Sequence, residues 1–152
     1  ASISTLWNNE KVFTKEEIES RRMRPDATVL SYPVITSGEK RHHGSFKELT
    51  GIDNAADPLW EFLSLEKRVN DDTPPAFLWH CFDDPEVPVE NSIYYAEALR
   101  DHNIPFELHI YPKGGHGIQL TTQRILRSRS MFPRDYNWHK MSVDWLADVF
   151  GL

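Results

Sequence analysis

The sequence predicts an α/β fold with a parallel sheet, and three observations carry that prediction. Three short runs rich in β-branched and aromatic residues, at 27–32, 76–80 and 106–111, have the pattern of buried strands, and each has a proline beside it. Segments with helical periodicity lie between and after these runs. Strands that are joined by crossover helices pair in parallel, with helices on the faces of the sheet.

The helices are predicted from their caps and their apolar spacing. Thr14 and Glu17 have the spacing of a capping box, which starts a helix directly after Thr14. The stretches 91–101 and 137–150 each repeat apolar residues at the helical period. Their predicted buried faces are Ile93, Tyr94, Ala98 and Leu99 in the first stretch and Trp138, Met141, Trp145, Leu146 and Val149 in the second.

The segment 37–70 is long for a connection between two strands, and it holds only short helical pieces, around 45–49 and 58–65. In parallel sheets a connection of this length usually lies over the strand ends, where ligands bind. The segment is therefore predicted to be a lid or a pocket wall. The alternative is a surface excursion without function.

Composition excludes several classes of protein. The 152 residues are 39% hydrophobic and include five Trp, eight Phe and five Tyr, which is enough for a packed core. No apolar run reaches the roughly 20 residues that a membrane span needs. A formal charge of −6 provides no basic surface for nucleic acid. We therefore expect a soluble protein with no membrane or nucleic-acid partner, and we favour a cytoplasmic location over secretion.

Two predicted strands are followed by loops with residue types that are common in active sites. The second leads into Asp83-Asp84 and then Val87-Pro88, and the third leads into Gly114-Gly115-His116-Gly117. Neighbouring parallel strands end at the same edge of a sheet. A His between glycines can project its ring into a cleft, and a carboxylate on the next loop can fix its tautomer and stabilise the imidazolium. The two loops therefore hold the residue types of two members of a catalytic triad.

The order of these motifs resembles the C-terminal half of an α/β-hydrolase. The resemblance runs through 24–36, 64–66 and 73–88 to the His loop, and it is greatest to serine esterases similar to acetyl esterases and acetylxylan esterases, some with xylanase-type names; dienelactone hydrolases are related. It implies that Asp84 is the catalytic acid and His116 the base, with Asp83 bonding the turn. It also implies a small-molecule or saccharide ester substrate, such as an acetyl ester, and no cofactor.

The nucleophile of this family is a Ser in a G-x-S-x-G turn. None of the seven glycines of the chain is followed two positions later by a Ser. Family members usually reach a stretch like 1–10 a turn or two of helix after that Ser. We therefore expect residues 1–152 to be the C-terminal portion of a single α/β-hydrolase domain whose nucleophile-bearing N-terminal part is absent, and to be inactive alone.

By the same resemblance, the strand at 27–32 pairs with the strand that delivers the Ser, so its edge needs a partner. The expected partner is the missing N-terminal half or a second copy of the chain. The rival interpretation is a non-catalytic α/β-hydrolase remnant that acts as a binding or assembly module. The absent Ser favours the remnant, and the presence of both acid and base loops favours the esterase. Cleavage of peptides by the parent protein stays open.

His42, His43 and Trp79 are further candidates for the substrate pocket. By resemblance, the two His lie near the mouth of the active site; the equal alternative is a solvated loop. Adjacent His side chains point apart and have no partner at ligand spacing, so we expect no metal site. Trp79, like Trp7 and Trp60, either stacks on a sugar ring or fills the core.

The chain has one cysteine, Cys81, which excludes an intrachain disulfide. Cysteine serves as the nucleophile in dienelactone hydrolases, where it occupies the nucleophile turn. Cys81 instead follows a predicted strand just before the acidic pair. We therefore expect it to be a packed thiol.

Overall fold

The computed structural model describes residues 1–117 and 137–152. Its sheet has three parallel strands in the order β1-β2-β3, with β1 at Thr28–Ser31, β2 at Ala76–Cys81 and β3 at Phe106–Tyr111. Ala76 of the central strand aligns with Thr28 on one side and with Phe106 on the other. The predicted α/β fold with three parallel strands is confirmed, and all three strands end at the same edge of the sheet.

Helices and one 3-10 helix surround the sheet. In chain order they are α1 Ser2–Leu6, α2 Lys15–Ser20, α3 His43–Thr50, α4 Pro58–Phe62, the 3-10 helix Leu65–Arg68, α5 Glu90–Asp101 and α6 Trp138–Phe150. The predicted capping box is present: the Thr14 side chain accepts from the backbone N–H of Glu17, whose carboxylate accepts from the backbone N–H of Thr14. Across the described ranges, no helix is long and apolar enough to cross a membrane.

Strand β2 is buried along its whole length because each of its faces packs against helices. On one face Ala76 and Leu78 contact a cluster that also contains Leu6, Ile35, Leu65, Val69, Tyr95, Leu99 and Ile104. On the other face Phe77, Trp79 and Cys81 contact α6 through Trp138, Met141, Trp145, Leu146 and Val149. The buried face predicted for the last helix is thus confirmed.

Helix α5 buries only part of the predicted face. Its buried residues are Asn91, Ser92, Tyr95, Ala96 and Leu99. Of the predicted face, Leu99 is buried and the half-buried Ala98 packs against the core, whereas Ile93 is only half-buried and Tyr94 is exposed. The face differs because two polar residues at the start of the helix, Asn91 and Ser92, are buried to make hydrogen bonds. The spacing of apolar residues does not predict that these polar residues are buried.

Asn91 attaches the beginning of the long segment to the core. Its side-chain oxygen accepts hydrogen bonds from the backbone N–H groups of Ile35 and Thr36, at 2.9 and 3.0 Å. Its amide nitrogen donates to the backbone oxygens of Lys40 and Pro88, at 2.8 and 2.9 Å. The segment 37–70 then forms α3, α4 and the 3-10 helix. Its role as a lid or a pocket wall stays a prediction.

Candidate active site

Asp84 lies in the turn after β2, and its carboxylate is bound on both oxygens. Oδ1 accepts hydrogen bonds from the backbone N–H groups of Glu86 and Val87, each at 2.9 Å. The side chain is fully covered. Burial by itself raises the pKa of Asp84, but the N–H of Val87, the ring of His116 and the N–H of Glu86 together outweigh it and lower the pKa below its usual value. Asp84 is therefore an anion at neutral pH.

His116 approaches Asp84 from the loop after β3. Its Nδ1 lies 2.8 Å from Oδ2 of Asp84. An ionised carboxylate only accepts hydrogen bonds, so Nδ1 carries the proton and Nε2 of the neutral ring keeps its lone pair. The neighbours Gly115 and Gly117 have φ values of 64° and 75°, a left-handed conformation that favours glycine. The loop thereby presents a ring that is 26% exposed above a covered acid.

Asp83 has a different partner from the predicted one. Its Oδ1 accepts the backbone N–H of Gly115 at 2.9 Å, so it bonds the His loop. The turn after β2 is bonded by Asp84 instead, and the prediction that Asp83 holds this turn is wrong. The acidic pair therefore binds the His loop at two points, since Asp84 contacts the ring of His116 and Asp83 contacts the backbone before it.

Tyr32, directly after β1, packs on the ring of His116. The two ring centroids are 4.7 Å apart at an interplanar angle of 63°, and Tyr32 also meets Trp79 edge-on at 5.0 Å. Its φ is 37°, a left-handed conformation that is rare for a bulky residue and that often occurs at functional sites. Tyr32 was not predicted as a site residue from the sequence, although its place at the end of a predicted strand was an available signal.

His80 is a second residue that the sequence analysis missed. It lies in β2, fully buried, with Nε2 at 2.9 Å from the backbone oxygen of Val87 and 3.3 Å from Oδ2 of Asp84. Its Nδ1 lies 2.8 Å from Oγ of Ser92. Burial is the largest influence on His80 and lowers its pKa, despite the nearby Asp84. The available signal was a His in an apolar strand that ends at the acidic pair.

The two adjacent His residues contact their own segment. His42 caps α3, with Nδ1 at 2.8 Å from Oγ of Ser45. His43 pairs with Asp53 at 2.7 Å, and both side chains are about half exposed, at 49% and 56%. Within residues 1–117 and 137–152, no hydrogen bond or ring contact joins either His to the Asp84–His116 pair. Their role in a pocket stays a prediction.

Trp79 is a core residue. It is fully buried, its Nε1 donates to Oγ of Ser31 at 2.8 Å, and its ring stacks on Trp138 with centroids 5.0 Å apart. Its burial favours the core alternative for Trp79, and a place in the substrate pocket stays a prediction. Trp7 and Trp60 are 3% and 0% exposed, so they fill the core as well.

Cys81 is buried at the end of β2, next to the acidic pair. Burial raises the pKa of its thiol to about 12, and the negative charges of Asp83 and Asp84 add to the effect. The nucleophilic thiolate is therefore not populated at neutral pH. This agrees with the prediction of a packed thiol.

Sequence comparison with known proteins identifies a family and relatives of this chain. The model of the Prolyl oligopeptidase family matches residues 37–150. The endo-1,4-beta-xylanase B of Butyrivibrio fibrisolvens is 48% identical over 102 residues, which are 67% of this chain and 16% of that protein. The acetylxylan esterase of Xylanibacter ruminicola is 36% identical over 104 residues, which are 66% of this chain and 22% of that protein.

Solved structures share the fold. The acetyl ester-xyloside bifunctional hydrolase of Caldicellulosiruptor lactoaceticus is 39% identical, with a TM-score of 0.74 over 98% of this chain and 52% of that one. An α/β hydrolase from a deep-sea metagenome library of the Medee basin is 28% identical, with a TM-score of 0.64 over 99% of this chain and 50% of that one. The chain thus spans about half the length of these structures. Since the family model matches most of its residues, the chain belongs to the prolyl oligopeptidase family of α/β hydrolases.

Proposed function

We propose that the chain supplies the acid and the base of a serine ester hydrolase. The observation that carries this proposal is the 2.8 Å contact between Nδ1 of His116 and the fully covered carboxylate of Asp84. Nε2 of His116 takes the proton of a serine hydroxyl as its oxygen attacks the ester carbonyl, and then gives it to the leaving alcohol. Asp84 stabilises the imidazolium in between. Water then cleaves the acyl-enzyme by the same proton transfers.

In this proposal the nucleophile lies outside the 152 residues, and residues 1–152 are inactive alone. Among the described residues, β1 has β2 as its one strand neighbour, so the backbone groups on its other edge pair with no strand. The side chain of Val29 in β1 is exposed. The strand that delivers the Ser pairs with this edge, and it comes from another part of the same polypeptide or from another chain. The match to 52% of the acetyl ester-xyloside hydrolase supports this arrangement over pairing of two copies.

The proposed substrate is a short acyl ester, such as an acetyl group on a xylan-derived saccharide. Two relatives support it by name, since one is an acetylxylan esterase and another an acetyl ester-xyloside hydrolase. The family description supports a second candidate, cleavage of peptides beside proline. The non-catalytic remnant is the third.

The experiment is a substrate panel on the full-length protein that contains this chain. We expect p-nitrophenyl acetate and an acetylated xylo-oligosaccharide to be hydrolysed faster than a proline p-nitroanilide peptide. Faster turnover of the peptide would replace the ester assignment, and no turnover of any substrate would support the remnant.

A second measurement tests the kind of nucleophile. Phenylmethylsulfonyl fluoride is expected to stop hydrolysis by sulfonylating one serine, which peptide mass spectrometry places outside residues 1–152. Iodoacetamide is expected to leave the rate unchanged at pH 7.5, because Cys81 is buried. Inactivation by iodoacetamide alone would contradict the serine mechanism.

A further inference from the structure

We propose that His80 is a positioning residue for Asp84, which it holds in the orientation that the ring of His116 needs. The geometry that points to it is a buried imidazole between the acid turn and helix α5, in contact with both. The inference rests on the proposed function, because the orientation of Asp84 matters to the rate only if His116 acts as the base.

The neighbours of His80 decide where its proton lies. The backbone oxygen of Val87 can only accept, so Nε2, at 2.9 Å, carries the proton and donates it. Nδ1 then accepts from the hydroxyl of Ser92 at 2.8 Å. Because burial lowers the pKa of His80, the ring is neutral at pH 7 and a single proton serves this arrangement.

The N–H at Nε2 of His80 also lies close to the Asp84–His116 pair. Nε2 of His80 is 3.3 Å from Oδ2 of Asp84, the oxygen that contacts Nδ1 of His116 at 2.8 Å. Val87 connects the two residues a second time, since its N–H donates to Oδ1 of Asp84 and its carbonyl accepts from His80. Loss of His80 would leave the buried carbonyl of Val87 without its partner and would loosen the turn that fixes Asp84.

The competing interpretation is a structural clamp, in which His80 only joins β2 to α5 through Ser92. The two ring nitrogens distinguish the two interpretations. The contact of Nδ1 with Ser92 joins β2 to α5, whereas the contacts of Nε2 hold the turn that carries Asp84. The titratable groups that face His80 are Asp84 and His116 on the loops and Glu90 at the start of α5.

Two neutral variants of the full-length protein isolate these contacts. His80→Asn keeps a polar atom near Nδ1 for Ser92 and empties the Nε2 position, whereas His80→Gln brings an amide N–H close to the Nε2 position. A third variant, Ser92→Ala, removes only the clamp. The readouts are kcat and KM for p-nitrophenyl acetate across pH, and the low-field proton resonance of the Nδ1–H of His116.

For His80→Asn we expect kcat to fall about tenfold or more, with KM within about twofold, because a displaced acid disorients the base. We also expect the acid limb of the kcat–pH profile of this variant to move. The resonance of the Nδ1–H of His116 should shift upfield. His80→Gln should recover most of the rate and the resonance, and Ser92→Ala should keep both near wild type.

The proposal is overturned if Ser92→Ala reproduces the loss of kcat, or if His80→Asn leaves the acid limb and the resonance unchanged. Ser92→Ala decides between the two interpretations even if His80→Asn does not fold. If the wild-type protein hydrolyses no ester, the proposed function fails separately. In that case the resonance alone decides the role of His80: an upfield shift in His80→Asn supports positioning, and no shift overturns it.

Discussion

Two histidine–aspartate pairs in the molecule share a distance and differ in environment. His116 and His102 each place Nδ1 at 2.8 Å from an aspartate oxygen, on Asp84 and Asp71 respectively. The side chain of Asp84 is 0% exposed and that of Asp71 is 93% exposed. Water and salt screen the charges of an exposed pair. The charge of a covered carboxylate acts on the ring of its histidine with much less screening. The covering of the acid, more than the length of the hydrogen bond, distinguishes the pair that we propose to be catalytic.

The first prediction concerns the charge of each acid, Asp84 and Asp71. Asp84→Asn is expected to lower kcat for p-nitrophenyl acetate by about 10³- to 10⁴-fold, because the ring then loses its anion and its fixed tautomer. Asp71→Asn should stay within about twofold of wild type, since an exposed acid contributes little. Steady-state kinetics on the full-length protein checks both variants. Equal losses would show that burial does not separate the pairs.

The second prediction concerns the backbone contact that supports the covered pair. Asp83→Ala is expected to lower kcat about tenfold, because the loop before His116 loses its bond from Gly115 to the carboxylate and the ring moves. Asp83→Asn keeps an oxygen acceptor and should recover most of the rate. If both variants retain full activity, the glycine-rich loop holds His116 without Asp83.

The third prediction concerns His80, a buried neighbour of Asp84 that should make the stability of the fold depend on pH. The pKa of His80 is lowered in the folded protein from its ordinary value of 6.5, so the unfolded chain binds that proton first. The free energy of unfolding should therefore fall as pH drops below about 6.5, by at most about 1.4 kcal/mol per pH unit from this group. Asp84, whose pKa is lowered from 3.8, contributes its loss only at lower pH. The groups facing His80 are Asp84, His116 and Glu90.

Urea unfolding between pH 7.5 and 4.5 measures this slope. His80→Gln should have a shallower slope than wild type, since its amide does not titrate, and the difference between the two slopes isolates His80 from the other histidines. Equal slopes in the two proteins would contradict the assignment of a neutral buried His80.

The smallest expected effect is on the exposed pair itself. Asp71→Asn should lower the free energy of unfolding by less than about 1 kcal/mol, because both partners keep contact with water. Added salt should shrink the difference further, which denaturant unfolding at low and high ionic strength measures. A larger loss would indicate that the pair contributes more to the fold than its exposure implies.

The sequence was sufficient for the sheet and for the pair at its edge. Strand β2 was predictable because a strand covered on both faces is continuously apolar, and α6 because its large side chains recur at the helical period. The strand ends predicted that the acidic pair and His116 lie together, and the choice of Asp84 over Asp83 came from the resemblance to α/β hydrolases.

The support around that pair was not predictable from periodicity or motifs. Asp83 and Tyr32 contact residues that are distant in the chain, and Tyr32 also has an unusual backbone angle. His80 contacts residues nearby in the chain, Asp84, Val87 and Ser92, but which ring nitrogen meets which partner depends on how the turn after β2 folds. The face of α5 was predicted only in part, with Leu99 but without Asn91 and Ser92, because these two polar residues are buried for their hydrogen bonds. Such choices depend on which partners the fold brings together.

The role of His116 as the base is tested most directly by two alanine variants of the full-length protein in the hydrolysis of p-nitrophenyl acetate. His116→Ala removes the ring above the covered acid, and His102→Ala removes the ring above the exposed one. We expect kcat/KM to fall by about 10³-fold or more in His116→Ala and to stay within about twofold in His102→Ala. Retention of a tenth or more of the activity by His116→Ala would contradict the role of His116 as the base.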